Sequence, residues 1–277
     1  MVEVDLILDR FNSEINCYHI LCSPTELSRR YNPRVYANLS VTSQERDDYC
    51  VFLFDGKLKP DQLRVNLATP AKDLDSFCSL VGLYVPPEIS ANFAEFQARF
   101  GGYFEGVKRQ FEPLMQERLG KTKELIERIY QLSKVETGVS VPIPERLEMR
   151  VVEGMSPSSY GRTFNEVFYV FEQMRNYLDE VGFFSTLVHE CVGHQTASCG
   201  RRFHQEFFGG YMYNFEEGFV KVLTRRIIES LFGKSQGGPS GPDQELAFKV
   251  FEESWPDLKK LGFLEWYKRG LIRIRDS

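Results

Sequence analysis

The residues best suited to chemistry lie in one run, Leu187-Val188-His189-Glu190-Cys191-Val192-Gly193-His194-Gln195. The chain has four histidines, and two of them flank a glutamate here. Neutral imidazoles are good ligands for zinc, and a carboxylate beside them is the usual companion base. In the common HExxH spacing the histidines are four apart and share one helix face. Here the spacing is HExxxH, so they are five apart. At ~100° per residue, i and i+4 lie about 40° apart on a regular helix, but i and i+5 lie about 140° apart. A straight helix would therefore point the two rings away from each other. A one-residue π-bulge absorbs the insertion and brings the rings together, and Gly193 makes such a distortion easier. The spacing predicts a helix that widens between His189 and His194. The competing reading, a core helix with two unrelated histidines, would bury polar groups without partners, which is costly.

A zinc site needs a third protein ligand and, if it is catalytic, a position open to water. Downstream lies Asn214-Phe215-Glu216-Glu217-Gly218-Phe219, where a helix could present a carboxylate. The register favours Glu217 over Glu216, because Glu217 lies off the centre of the apolar stripe that includes Phe219. Cys199 is a rival as a thiolate, and Glu206 is a more distant one. Glu190 is the candidate general base. A tetrahedral oxyanion would need a further donor. Tyr213, Tyr211 and His204 lie between the two motifs and are candidates, with Tyr160 upstream.

The run HECVGH resembles the HExxGH motif of the dipeptidyl-peptidase III family, which chelates zinc despite the extra residue. The second motif of that family begins with two glutamates, the second being a ligand, and Glu216-Glu217 is similar to it. A Glu-Gly pair opening a helix also resembles the gluzincin clan, where that glutamate ligates the metal. The resemblance implies His189, His194 and Glu217 as ligands and Glu190 as base, in a zinc peptidase. HECVGH is similar as well to the HExxxH of TldD-type microcin-processing peptidases, whose third ligand is a cysteine, which keeps Cys199 open.

The elements that must position these residues are read from hydrophobic period. From about Phe171 or Phe183 the pattern turns helical and runs into His189. A further helix is expected over Phe215–Phe232, with Phe219, Val222, Leu223, Ile227 and Leu231 on one side. From Gln244 on the tail looks helical, with Trp255 and Trp266 packing back. Gly233–Asp243 is a Gly-rich loop, either a surface linker or a lid. Upstream, Leu147–Val152 and Thr163–Phe171 are expected strands, the second of which could also pair with an extended peptide. Tyr49–Phe54 before Asp55-Gly56 reads as a short strand, and Val4–Leu8 as a strand or helix. After Pro86-Pro87, Phe93, Phe96, Phe100, Phe104, Val107, Phe111 and Leu114 recur at helical steps. Pro113 is expected to kink or restart that helix, with a second helix over about 121 to 135. His19, between Cys17 and Cys22, matches no standard metal spacing and reads as a packed histidine.

Composition sets the outer limits. An apolar fraction of 42% and a charged fraction of 26% are ordinary for a globular protein. A net charge of −5 argues against nucleic-acid binding. Arg201-Arg202 and Arg225-Arg226 read as solvated faces. No run approaches the ~20 apolar residues of a membrane span. There is no secretory pattern at the start, and the six cysteines lack disulfide spacing, so a cytoplasmic location is expected. The fold expected is α+β and mostly helical: a mainly helical region over 1–140, then a zincin-like metal-binding domain with a small sheet and an active-site helix over 141–277. The function expected is a zinc-dependent hydrolase, a peptidase acting on a peptide or protein substrate. The alternative is a non-catalytic zinc-bound or degenerate peptidase-like scaffold acting in protein interaction.

Overall fold

The computed structural model describes residues 2–55, 69–82, 84–154, 160–164, 167–173, 178–234 and 238–277. Two sequence readings, the Gly233–Asp243 loop and the Asp55-Gly56 pair, fall partly outside them. The chain forms two compact units that interleave in sequence. One comprises Glu3–Gly120 with Arg146–Leu178, and the other chiefly Lys121–Glu145 with Asp179–Ser277. A single division near 140 is therefore not what the chain makes. The reason is strand pairing: β1 (Glu3–Leu8) lies parallel to β2 (Arg146–Val152), with Glu3 opposite Arg146, so the segment after 145 returns to the N-terminal unit.

In that unit the sheet order is β1-β2-β4-β3, with β3 spanning Tyr160–Phe164 and β4 Val167–Gln173. β2 pairs in parallel with β4, and β3 is antiparallel to β4. The expected strand over 163–171 is thus two strands, with residues 165–166 between them outside the described set. β2 does not alternate, because Leu147 to Val152 are all buried. A central parallel strand is covered on both faces, and its charged residues are paired. Arg150 donates to Glu148 at 2.7 Å and to Asp9 at 2.5 Å. Asp9 in turn caps α1 (Arg10–Cys22) through the Asn12 amide.

α2 (Glu26–Tyr31), α3 (Pro33–Asn38), α4 (Ser43–Asp55), α5 (Leu74–Val81) and the start of α6 (Pro87–Thr137) complete this unit. Its aromatic core gathers around Tyr18, whose ring meets Tyr49, Phe93 and Phe96 at 5.3–5.5 Å. Tyr49–Phe54 is helix and not strand. Thr42 and Glu45 form a reciprocal cap, the Glu45 amide donating to the Thr42 hydroxyl and the Thr42 amide to the Glu45 carboxylate. That cap starts a helix which overrides the β-forming residues beyond it. Buried His19 shares a 2.8 Å hydrogen bond with Tyr49, as a packed histidine would. α6 runs unbroken for 51 residues through Pro113. Proline removes one backbone donor, and Pro113 sits on the exposed side while Phe111 and Met115 hold the buried face.

The second unit takes the end of α6 and then α7 (Glu180–Val188), a π turn (His189–Gly193), α8 (His194–Ser198), α9 (Arg202–Phe208), α10 (Tyr213–Phe232), α11 (Pro242–Ser254), α12 (Leu258–Leu261) and α13 (Phe263–Arg275). Trp255 and Trp266 do pack back, 5.3 Å apart and both against Phe219 of α10. All six cysteines are free thiols. Among the described residues no helix is long and apolar enough to cross a membrane.

Candidate metal centre

α7 is capped by Asp179, which accepts from the Gly182 amide at 3.1 Å. Its apolar residues Phe183, Phe184, Leu187 and Val188 are fully buried, so the helix is fixed along its length up to His189. There the backbone widens. The His194 amide donates to the His189 carbonyl, five residues back instead of four. The inserted residue is absorbed, and the two imidazoles come to 4.9 Å between ring centres. The anticipated bulge is present, but Gly193 serves it through space and not through backbone freedom. Its dihedrals, φ −59° and ψ −62°, are ordinary helical ones. What matters is the missing side chain, because a Cβ there would lie 2.5 Å from Val220 Cγ1. Glycine lets the π turn lie directly on α10.

α10 brings the carboxylates. Gly218 allows the equivalent close approach on its other side, against Ala247 and the Phe248 amide of α11. Adjacent residues on a helix diverge by ~100°, and Glu216 and Glu217 accordingly do different things. Glu217 places Oε1 3.1 Å from His194 Nε2 and Oε2 3.5 Å from His189 Nε2. Glu216, with no exposed surface, accepts from His194 Nδ1 at 2.8 Å. Arg201 grips Glu216 from behind, Nε to Oε2 at 2.7 Å and Nη2 to Oε1 at 2.6 Å. The bond to Glu216 fixes a proton on His194 Nδ1 and turns Nε2 toward Glu217, the atom that would give up its own proton to a bound cation.

The charges reinforce one another. Burial works against charge on His194, but hydrogen bonding to Glu216 and contact with Glu217 outweigh it and raise its pKa to about 10. Burial would raise Glu216 too, yet Arg201 and His194 bring it down to about 2. Glu217 is likewise buried but held well below the usual carboxylate range by His189 and His194. Close as it is to His194, Glu217 Oε1 receives no hydrogen bond of acceptable geometry and is buried. Glu217 thus turns one oxygen toward each imidazole Nε2, the donor arrangement that a cation between them would take.

The nitrogens of His189 and His194 and a carboxylate oxygen of Glu190 all lie within 4.8 Å of one another, a group that could hold a metal ion. Glu190 and Glu217 are thus both near the imidazoles, and Glu217 is the one set in contact with both Nε2 atoms. The other candidates fall away from the cluster. Cys199 is exposed, with its thiol toward the Gln195 carbonyl. Glu206 reaches Lys268 at 3.8 Å. His204 is fully buried and both of its nitrogens are engaged, Nδ1 accepting from the Met212 amide at 3.2 Å and Nε2 bonding the Tyr267 hydroxyl at 2.9 Å. It ties down the approach to α10. Tyr213 stays beside the site, its ring stacked on His194 at 6.5 Å. Although the residue is half exposed, partial desolvation of its hydroxyl and then the charge of Glu217 raise its pKa, so the phenol keeps its proton. Tyr211 lies under the Arg201 guanidinium. Tyr160 belongs to β3, in the other unit.

No protein-family model matches this chain, and neither a curated protein nor a solved structure matches it. The chemistry of the cluster has to be read from its own atoms.

Sequence reasoning missed Arg201 and the supporting role of Glu216. Arg201-Arg202 reads as a surface pair, and both are exposed, but Arg201 also lays its guanidinium on buried Glu216. The usable signal was the doubled glutamate, since one helix cannot aim two adjacent carboxylates at the same ion.

Proposed function

We propose that this chain is a zinc-dependent hydrolase, a peptidase, in which His189, His194 and Glu217 hold the ion and Glu190 is the general base. The observation that carries the reading is the convergence of both imidazole Nε2 atoms on the Glu217 carboxylate across a widened helical turn. The donor set, two neutral nitrogens and one carboxylate oxygen, suits zinc with an open fourth position. A zinc ion bound there would polarise a carbonyl oxygen and lower the pKa of water toward ~7.

The protein's own groups supply the rest. Glu190 follows a ligand directly in sequence and keeps a carboxylate oxygen near both imidazoles. It takes the proton of the attacking water as the new C–O bond forms, and delivers it to the departing amine as the tetrahedral species collapses and the C–N bond breaks. Glu216 and Arg201 keep the His194 ring in one orientation throughout. Tyr213, protonated and stacked beside His194, donates a hydrogen bond to the oxygen that becomes negative. Assignment to peptides follows the likeness of HECVGH and Glu216-Glu217 to the dipeptidyl-peptidase III motifs.

Metal analysis of the purified protein should give equimolar zinc. Glu217→Ala should lose it, and Cys199→Ser should keep it. Glu190→Gln should retain zinc and lower hydrolysis of a mixed peptide library by about 10²-fold or more. Parent-like cleavage by Glu190→Gln would remove the base assignment. Zinc lost from Cys199→Ser but kept by Glu217→Ala would move the third ligand to sulfur.

A further inference from the structure

A π turn has a cost in the backbone, because inserting one residue breaks the i→i−4 ladder and leaves carbonyls that the helix does not satisfy. Here the turn also receives a hydrogen bond from outside. The Tyr130 hydroxyl, on the last part of α6, donates to the Cys191 carbonyl at 3.3 Å. Cys191 lies midway between the two histidines, and both Tyr130 and Cys191 are buried. One turn further along α6, Ser133 meets Thr196 hydroxyl to hydroxyl at 3.3 Å, again with both residues fully buried. The two contacts lie on either side of His194. Together they set the register of α6 against the stretch that contains the extra residue, one before the second histidine and one after it.

Resting on the metal reading above, we infer that Tyr130 is a positioning residue of the centre: its hydroxyl holds the widened turn and so holds His189 and His194 in register for one ion. An apolar residue of the same shape would pack equally well, so the hydroxyl is the part that needs a reason. If the Tyr130 hydroxyl is lost, the turn loses this outside bond and the stretch can relax toward a regular helix. That relaxation swings the two imidazoles apart by the ~100° the bulge had removed. The ligands themselves would be untouched, and only their convergence would suffer.

Tyr130→Phe tests this, with Tyr36→Phe as its control. The Tyr36 hydroxyl also donates to a buried helix carbonyl, that of Ile20 at 2.6 Å, but in the other unit. Zinc affinity would be measured by chelator competition and ligand geometry by the visible absorption of the cobalt-loaded protein. Tyr130→Phe should bind zinc about tenfold or more weakly, the range seen when a group supporting a ligand is removed. It should also shift the cobalt bands, while Tyr36→Phe changes neither. Parent-like affinity and spectrum in folded Tyr130→Phe would overturn the inference and leave the metal reading standing. A parent that binds no zinc would remove the metal reading itself, and this inference with it. If Tyr130→Phe does not fold, Ser133→Ala decides by the same two measurements.

Discussion

Arg201 shows how much of the proposed centre is held by groups that are not themselves candidate ligands. Its two-pronged contact neutralises Glu216, a carboxylate with no exposed surface whose other partner is His194 Nδ1. Without Arg201 the buried Glu216 charge would have one partner instead of two, and the cheapest response is for it to take up a proton. A protonated Glu216 no longer fixes the His194 tautomer. Arg201→Met should therefore weaken zinc binding by about 10- to 100-fold without touching a ligand, as read by chelator competition. Arg201→Lys should recover only part of the loss, since an ammonium cannot reproduce the planar fork. Unchanged affinity in Arg201→Met would show that Glu216 orients nothing. The histidine spacing and the doubled glutamate were legible as residues, because imidazoles and carboxylates set at short intervals in an apolar run need a shared partner to offset their burial. Arg201 was not, because an exposed cation whose guanidinium reaches back to a buried carboxylate looks in sequence like any solvated one.

At the scale of elements, the decisive contact is between the π turn and α10. Gly193 has helical dihedrals, and a Cβ would meet fully buried Val220. Gly193→Ala should therefore destabilise the fold by about 1–3 kcal/mol through overpacking and reduce zinc content, as α10 is pushed away with Glu217 on it. Val220→Ala in the same chain should restore most of both, and denaturation midpoints with metal analysis of the two variants would check this. A double variant no better than Gly193→Ala would mean that the glycine is needed for something other than room. The widened turn was legible from histidines five apart, since only a local change of helical pitch reconciles that spacing with shared ligation. α4 was not: Tyr49–Phe54 carries β-forming residues, and the Thr42–Glu45 cap that commits the segment to helix lies upstream of them. Pro113 misled in the opposite direction, because the buried stripe of α6 keeps its phase past it.

For the molecule as a whole, sequence order is a poor guide to spatial order. β1 finds its neighbour β2 across more than half the chain, Val4 beside Leu147, and nothing local in either strand names the other. That is why a single boundary near 140 could be expected while the interleaving could not. The candidate ligands, by contrast, all belong to one unit, with His189, His194, Glu216, Glu217, Arg201 and Tyr130 within Lys121–Glu145 and Asp179–Ser277. A ligand that binds the folded unit alone stabilises it by mass action, by about 2.7 kcal/mol at a free concentration of 100 Kd. Amides of that unit that exchange through its unfolding should then slow by roughly a hundredfold when zinc is added to chelator-stripped protein. Peptide-resolved hydrogen exchange would read this in α7, the π turn, α8 and α10, where the histidines and glutamates sit. Exchange in those four segments that stays the same with and without zinc would mean that the imidazoles and Glu217 come together for some reason other than a shared ion.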